Sequence, residues 1–137
     1  MAELDFAFIS DFARAKAGSL DALSIGVDMI TALSFPAAVQ VVLVVKIALM
    51  EHDCGSTHRL EAIVQDTDGK RLTEVTLNVQ AAWPGDPPPL DRVCVQALLP
   101  LLLPISGPGA HSIDLALDGN PLKTISLDVS QGEAPLG

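Results

Sequence analysis

The sequence predicts an all-β fold: an antiparallel β-sandwich of about eight strands with Greek-key or immunoglobulin-like connections, the alternative being a β-barrel. Three observations lead there. Residues 57–83 read as a hairpin whose two arms alternate between apolar and polar positions. Turns rich in Gly, Pro and Asp recur at regular spacing along the chain. No stretch carries the 3.6-residue apolar repeat of an amphipathic helix.

In the hairpin, Leu60, Ala62 and Val64 share one face while Arg59, Glu61 and Gln65 share the other; Ile63 is the exception. On the second arm Val75, Leu77, Val79, Ala81 and Trp83 oppose Glu74, Thr76, Asn78 and Gln80. Between the arms lies Asp66-Thr67-Asp68-Gly69-Lys70, where Gly69 supplies the positive φ of a tight turn.

The remaining elements follow in order. Residues 4–13 read as a first strand built on Phe6, Phe8 and Ile9, with alternation broken at Phe8-Ile9, as a bulge or burial on both faces would break it. After a turn at 15–19, a second strand over 22–27 returns antiparallel to the first. Residues 28–38, with Phe35-Pro36, lose any period and predict a long connection that crosses between sheets. Residues 39–50 are apolar on both faces, Val41, Leu43, Val45, Ile47 and Leu49 on one and Val42, Val44 and Ala48 on the other, which predicts a central or doubly covered strand. Pro84-Gly85-Asp86-Pro87-Pro88-Pro89 reads as a stiff crossover. Val93, Val95, Ala97 and Leu99 make the next inward set, and Pro100 and Pro104 are expected to end that strand. Ile113, Leu115 and Leu117 follow, then a second hairpin signal at Asp118-Gly119, then a last strand with Ile125, Leu127 and Val129 inward. Residues 1–130 thus read as one sandwich domain, and 131–137 as a flexible tail.

Composition agrees with a single core and narrows the partners. The 137 residues are 49% hydrophobic, and mean hydropathy is +0.40, which is ample for one buried core. A net charge of -9 with only 8 basic residues would repel phosphate backbones and anionic lipid, so neither nucleic acid nor a membrane is an expected partner. With aromatics at 4%, one Trp and no Tyr, stacking platforms for sugars or bases have little to be built from. The apolar run over 39–50 is about half the length of roughly 20 residues that spans a bilayer, and Lys46 interrupts it. The start of the chain shows no basic region ahead of an apolar run, so a cytoplasmic location is expected, with Cys54 and Cys94 as free thiols.

A family resemblance is carried by Asp5-Phe6-Ala7-Phe8, by His58-Arg59-Leu60-Glu61-Ala62 ahead of Asp66-Thr67-Asp68-Gly69, and by Gly107-Pro108-Gly109-Ala110-His111 leading to Asp118-Gly119. Together these residues resemble an uncharacterised bacterial family of small β-sandwich domains of unknown function, DUF6941. The resemblance covers residues 4–129 and departs from the usual pattern at Ala110-His111, where an aromatic is customary. It implies a β-sandwich and no activity, cofactor or catalytic residue.

Chemistry-bearing residues concentrate at one turn, where His52, Asp53, Cys54 and His58 offer N, O and S donors. A zinc site on His52, Cys54 and His58 is the sharp reading there, with Cys94 or His111 approaching in space to complete it; a polar turn reversing at Gly55 is the bland one. Asp66-Thr67-Asp68-Gly69 opens like a helical calcium loop, but the twelfth position is Leu77 where a bidentate Glu is required. A calcium site shared with Asp28, Asp53 and Asp86, and a triad of Ser10, His111 and Asp118, can be written down but are placed together by nothing in the chain. Two functions follow. The first is a non-enzymatic sandwich acting through a protein partner or self-assembly as a homodimer, resting on Val42, Val44, Ile63 and Leu98, which are apolar on faces that alternation makes wet. The second is a metal-dependent enzyme or ligand-binding protein with its site between His52 and His58.

Overall fold

The computed structural model describes residues 2–10, 12–16, 19–23, 26, 29–85 and 91–132. They form strands β1 (Glu3–Ser10), β2 (Phe12–Lys16), β3 (Ser19–Leu23), β4 (Met29–Ala32), β5 (Ala37–Leu49), β6 (His58–Gln65), β7 (Arg71–Val79), β8 (Val93–Ile105), β9 (Gly109–Leu117) and β10 (Asn120–Gln131), with a 3-10 turn at Glu51–Asp53. A three-stranded sheet ordered β1-β5-β8 faces a five-stranded sheet ordered β4-β10-β9-β6-β7, and β2-β3 is a separate hairpin. β1 borders β10 on one margin and β8 borders β7 on the other, so the layers close over one core. Leu43, Ile47, Leu49, Leu99, Leu101 and Leu103 enter it from the smaller sheet, and Leu60, Ile113, Leu115 and Leu127 from the larger. The all-β sandwich expected from alternation is the fold observed.

The hairpin expected over 57–83 forms: β6 and β7 pair antiparallel with Leu60 opposite Leu77 and Ala62 opposite Val75. Gly69 has φ 78°, and the Asp66 carboxylate accepts the N–H groups of Asp68 and Lys70 at 2.9 Å, an Asx-type turn in which the side chain replaces missing ladder bonds. The register shifts between Val64 and Gln65 to accommodate it. At the second hairpin Asp118 and Gly119 both have positive φ, 51° and 82°, the requirement of a two-residue type I′ turn.

Several boundaries differ from expectation. The segment expected as one strand over 4–13 is two: β1 pairs with β5, and β2 pairs with β3 in a shorter hairpin. Alternation does not break at Phe8-Ile9, because Ala7 and Ile9 face the core and Phe6 and Phe8 the outside; the irregularity falls at Asp5, between Leu4 and Phe6. The connection over 28–38 does cross between sheets, but it contains β4, which joins the larger sheet parallel to β10. Pro100 and Pro104 do not end β8. Alternate residues of an edge strand aim their N–H away from the sheet, so two prolines four positions apart both sit where β5 asks for no donor, and Leu101, Leu103 and Ile105 continue the core beyond Pro100. Gln131, expected in the tail, lies in β10, and the Gly132 N–H donates to the Ala32 carbonyl at 2.8 Å. Residues 133–137, and residues 86–89 of the expected crossover, lie outside the described residues.

Candidate functional site

The strand register brings His58 to the β9–β10 turn. Leu60 stands opposite Leu117 in the β6–β9 ladder, and the Asp118 N–H donates to the Arg59 carbonyl at 2.9 Å. His58, the first residue of β6, therefore lies beside Asp118, 60 positions later in sequence, with Nδ1 2.6 Å from Asp118 Oδ2. Its other nitrogen, Nε2, is 2.6 Å from the Asp53 carbonyl oxygen at the end of the 3-10 turn. A carbonyl only accepts, so Nε2–H donates; Asp118 also accepts the Arg59 N–H at 2.8 Å, as an ionised carboxylate does, so Nδ1–H donates as well. The ring is an imidazolium with both protons committed.

The electrostatics follow from those contacts. The hydrogen bond to the Asp53 carbonyl, then the one to Asp118, raise His58 above the ordinary histidine value, outweighing the opposing effect of burial. The Arg59 N–H, then His58, hold Asp118 below the ordinary carboxylate value. The Asp53 carboxylate turns the other way and accepts the Met50 N–H at 3.0 Å, closing the 3-10 turn on itself. Beneath His58 and Asp118 lies a cavity of about 120 Å³, walled also by Ala2, Leu117, Asn120 and Leu122.

His52, Cys54 and His58 lie on this turn but do not converge. Both ring nitrogens of His58 face oxygens within its own chain, Asp118 Oδ2 and the Asp53 carbonyl. His52 points to solvent, its Nε2 3.5 Å from Asp53 Oδ1. Cys54 is half-buried against the core margin, and Cys94 is exposed on β8, both as free thiols. Among the described residues no group of three or more His, Cys, Asp or Glu side chains is placed to hold a metal ion. His111 is buried at the far end of β9, its Nδ1–H donating to the Gly109 carbonyl at 3.0 Å; at about 3.3 Å per residue it is roughly 23 Å from Asp118. The triad of Ser10, His111 and Asp118 is therefore not assembled. Of the calcium candidates, Asp66 is engaged in its own turn, and Asp28 and Asp86 lie outside the described residues. Sequence reading found His58 and found Asp118 as a turn residue, but missed that they are partners.

The two sheets present unlike outer faces. On the larger sheet Arg59, Glu61, Asp114, Thr124, Ser126 and Asp128 point outward, with Thr124 bonded to Asp114 at 2.8 Å and Arg59 paired to Glu61; Ile63 is half-buried among them. On the smaller sheet the cross-strand rows are Phe8–Val44–Leu98, Ser10–Val42–Pro100, Gln40–Leu102 and Ala38–Pro104. Phe6 and Phe8 stack at 5.6 Å between ring centroids, and Lys46, 3.6 Å from Asp5, lies over Phe6. Val44 is fully buried within the chain, β2 passing close to β5 and β8, whereas Leu102 is 59% exposed. No helix among the described residues is long and apolar enough to cross a membrane.

No curated protein matches the chain. A family model described as Family of unknown function (DUF6941) matches residues 5–130. That span takes in both facing sheets, the β6–β7 hairpin and the His58–Asp118 contact, and the chain is a member of this family.

Proposed function

We propose that this domain is a non-enzymatic module that works by pairing with a second copy of itself through the outer face of its three-stranded sheet. The observation that carries the reading is the contrast between the two outer faces. A solvated sheet face is ordinarily polar, as the five-stranded one is, and contiguous exposed apolar surface on a soluble chain marks an interaction site. Ala38, Leu98, Pro100, Leu102 and Pro104 form an uncharged strip along β5 and β8. Water contact with it costs about 25 cal/mol for each Å² of apolar surface left uncovered.

A second copy suits the strip because of charge. Each chain carries -9, so two copies repel through any acidic surface, yet this strip brings no carboxylate against another; Lys46, a cation on the same face, is already matched by Asp5. A two-fold axis buries the same patch twice and closes the assembly. Light scattering over a concentration series tests the reading: the mass rises from 14.3 kDa toward twice that value, and a mass held at 14.3 kDa up to millimolar protein overturns it.

A further inference from the structure

We propose that His58 is a pH-operated latch: while protonated it holds the connection between the two sheets against the β9–β10 turn, and on losing its proton it releases that connection from the cavity beneath. The connection runs from the end of β5 in the smaller sheet, through the 3-10 turn, to the start of β6 in the larger. Its own backbone bonds are few: Asp53 N–H to the Met50 carbonyl, Cys54 N–H to Glu51, and Gly55 N–H to Ala81 at 2.9 Å. The tie to the β9–β10 turn is the imidazolium, with one N–H on Asp53 and one on Asp118.

Removing one proton cannot leave both contacts intact. A neutral imidazole has one donor and one lone pair, and an oxygen that only accepts faces each nitrogen. Whichever proton leaves, a lone pair meets a carbonyl or a carboxylate across 2.6 Å, and one contact turns repulsive. The carboxylates of Asp118 and Asp53 favour the protonated ring as well. Asp118 comes from the β9–β10 turn, and Asp53, with Glu51 and His52 beside it, from the 3-10 turn; Arg59 and Glu61 follow on β6 with Arg59 paired to Glu61. The cavity walls contributed by Ala2, Leu117, Asn120 and Leu122 carry no charge.

The sign is fixed by the raised His58 value: the latch is fully closed below the ordinary histidine pKa of about 6.5 and weakens as pH climbs from there through the His58 midpoint. Over that window the opening equilibrium rises by up to about tenfold per pH unit, then levels off.

Two measurements on the intact chain test the latch. Nitrogen NMR of the imidazoles over a pH series should find both His58 nitrogens still mostly protonated at the ordinary histidine value of about 6.5. Amide exchange of Cys54 and Gly55, referenced to Val64 in the core of β6, should then accelerate beyond the ordinary base-catalysed rise as His58 titrates. His58 titrating at or below the ordinary histidine value, or Cys54 and Gly55 tracking Val64 throughout, overturns the proposal. Asp118→Asn separates a latch from a merely structural contact. Asn tolerates the left-handed backbone at this position, still accepts the Arg59 N–H, and offers its own N–H to a neutral His58. The variant should therefore fold and lose the pH-dependent part of the exchange; keeping that part also overturns the proposal.

Discussion

At the scale of single residues, backbone conformation decides what the turns tolerate. Gly69 has φ 78°, and a Cβ there would meet nothing within 4 Å, so a substitution pays in backbone strain alone. Gly69→Val should cost about 1 kcal/mol or more by denaturant unfolding, a β-branched residue resisting positive φ. Gly109 has φ 136°, and its Cβ would run into the Thr67 methyl of the neighbouring turn. Gly109→Ala should therefore cost more than the single-strain value of roughly 1 kcal/mol, and Thr67→Ser should restore part of the loss by removing that methyl. If Thr67→Ser restores nothing, the clash is not the cause. These glycines were legible in sequence because a turn is a local event. The His58–Asp118 pair was not, since it depends on the β6–β9 register that sets Leu60 opposite Leu117, and no spacing rule encodes that. Once the pair is known, acid behaviour follows. Asp118 lies below its ordinary value, so its contribution to stability is present above about pH 4 and is lost as pH falls through its midpoint.

At the scale of elements, β8 shows what periodicity conveys and what it leaves open. Alternation placed Val95, Ala97 and Leu99 inward correctly, yet the prolines read as terminators because sequence does not say which strands are edges. Edge position, with both prolines in the same phase, lets β8 run all 13 residues against β5. Phase is therefore testable. Leu101→Pro removes an N–H aimed at β5 and should cost about 3 kcal/mol or more, whereas Leu102→Pro falls in the phase of Pro100 and Pro104 and should cost far less in urea titrations. Equal losses would show that the open side of β8 is not where its donors point. β4 escaped sequence reading for a related reason: four residues shortly before Phe35-Pro36 are too few for a period, and their partner strand β10 lies 99 positions further along the chain.

At the scale of the whole molecule, the sandwich has a polar outer face and an apolar one, and the proposal is that a second copy covers the apolar one. The sequence signalled the surplus through Val42, Val44 and Leu98, but Val44 is buried inside the chain and Leu102 is the exposed member. Val44→Lys should accordingly unfold the domain, by placing an ammonium where no water reaches, rather than yield a folded monomer. The most direct test is sedimentation equilibrium on two charge-matched variants, Leu102→Lys on the three-stranded face and Thr76→Lys on the outer face of β7. Both sites are exposed, so both variants should melt as the unmodified chain does. If a second copy covers the apolar face, Leu102→Lys sediments at 14.3 kDa while Thr76→Lys keeps twice that mass; two variants of equal mass would rule that cover out.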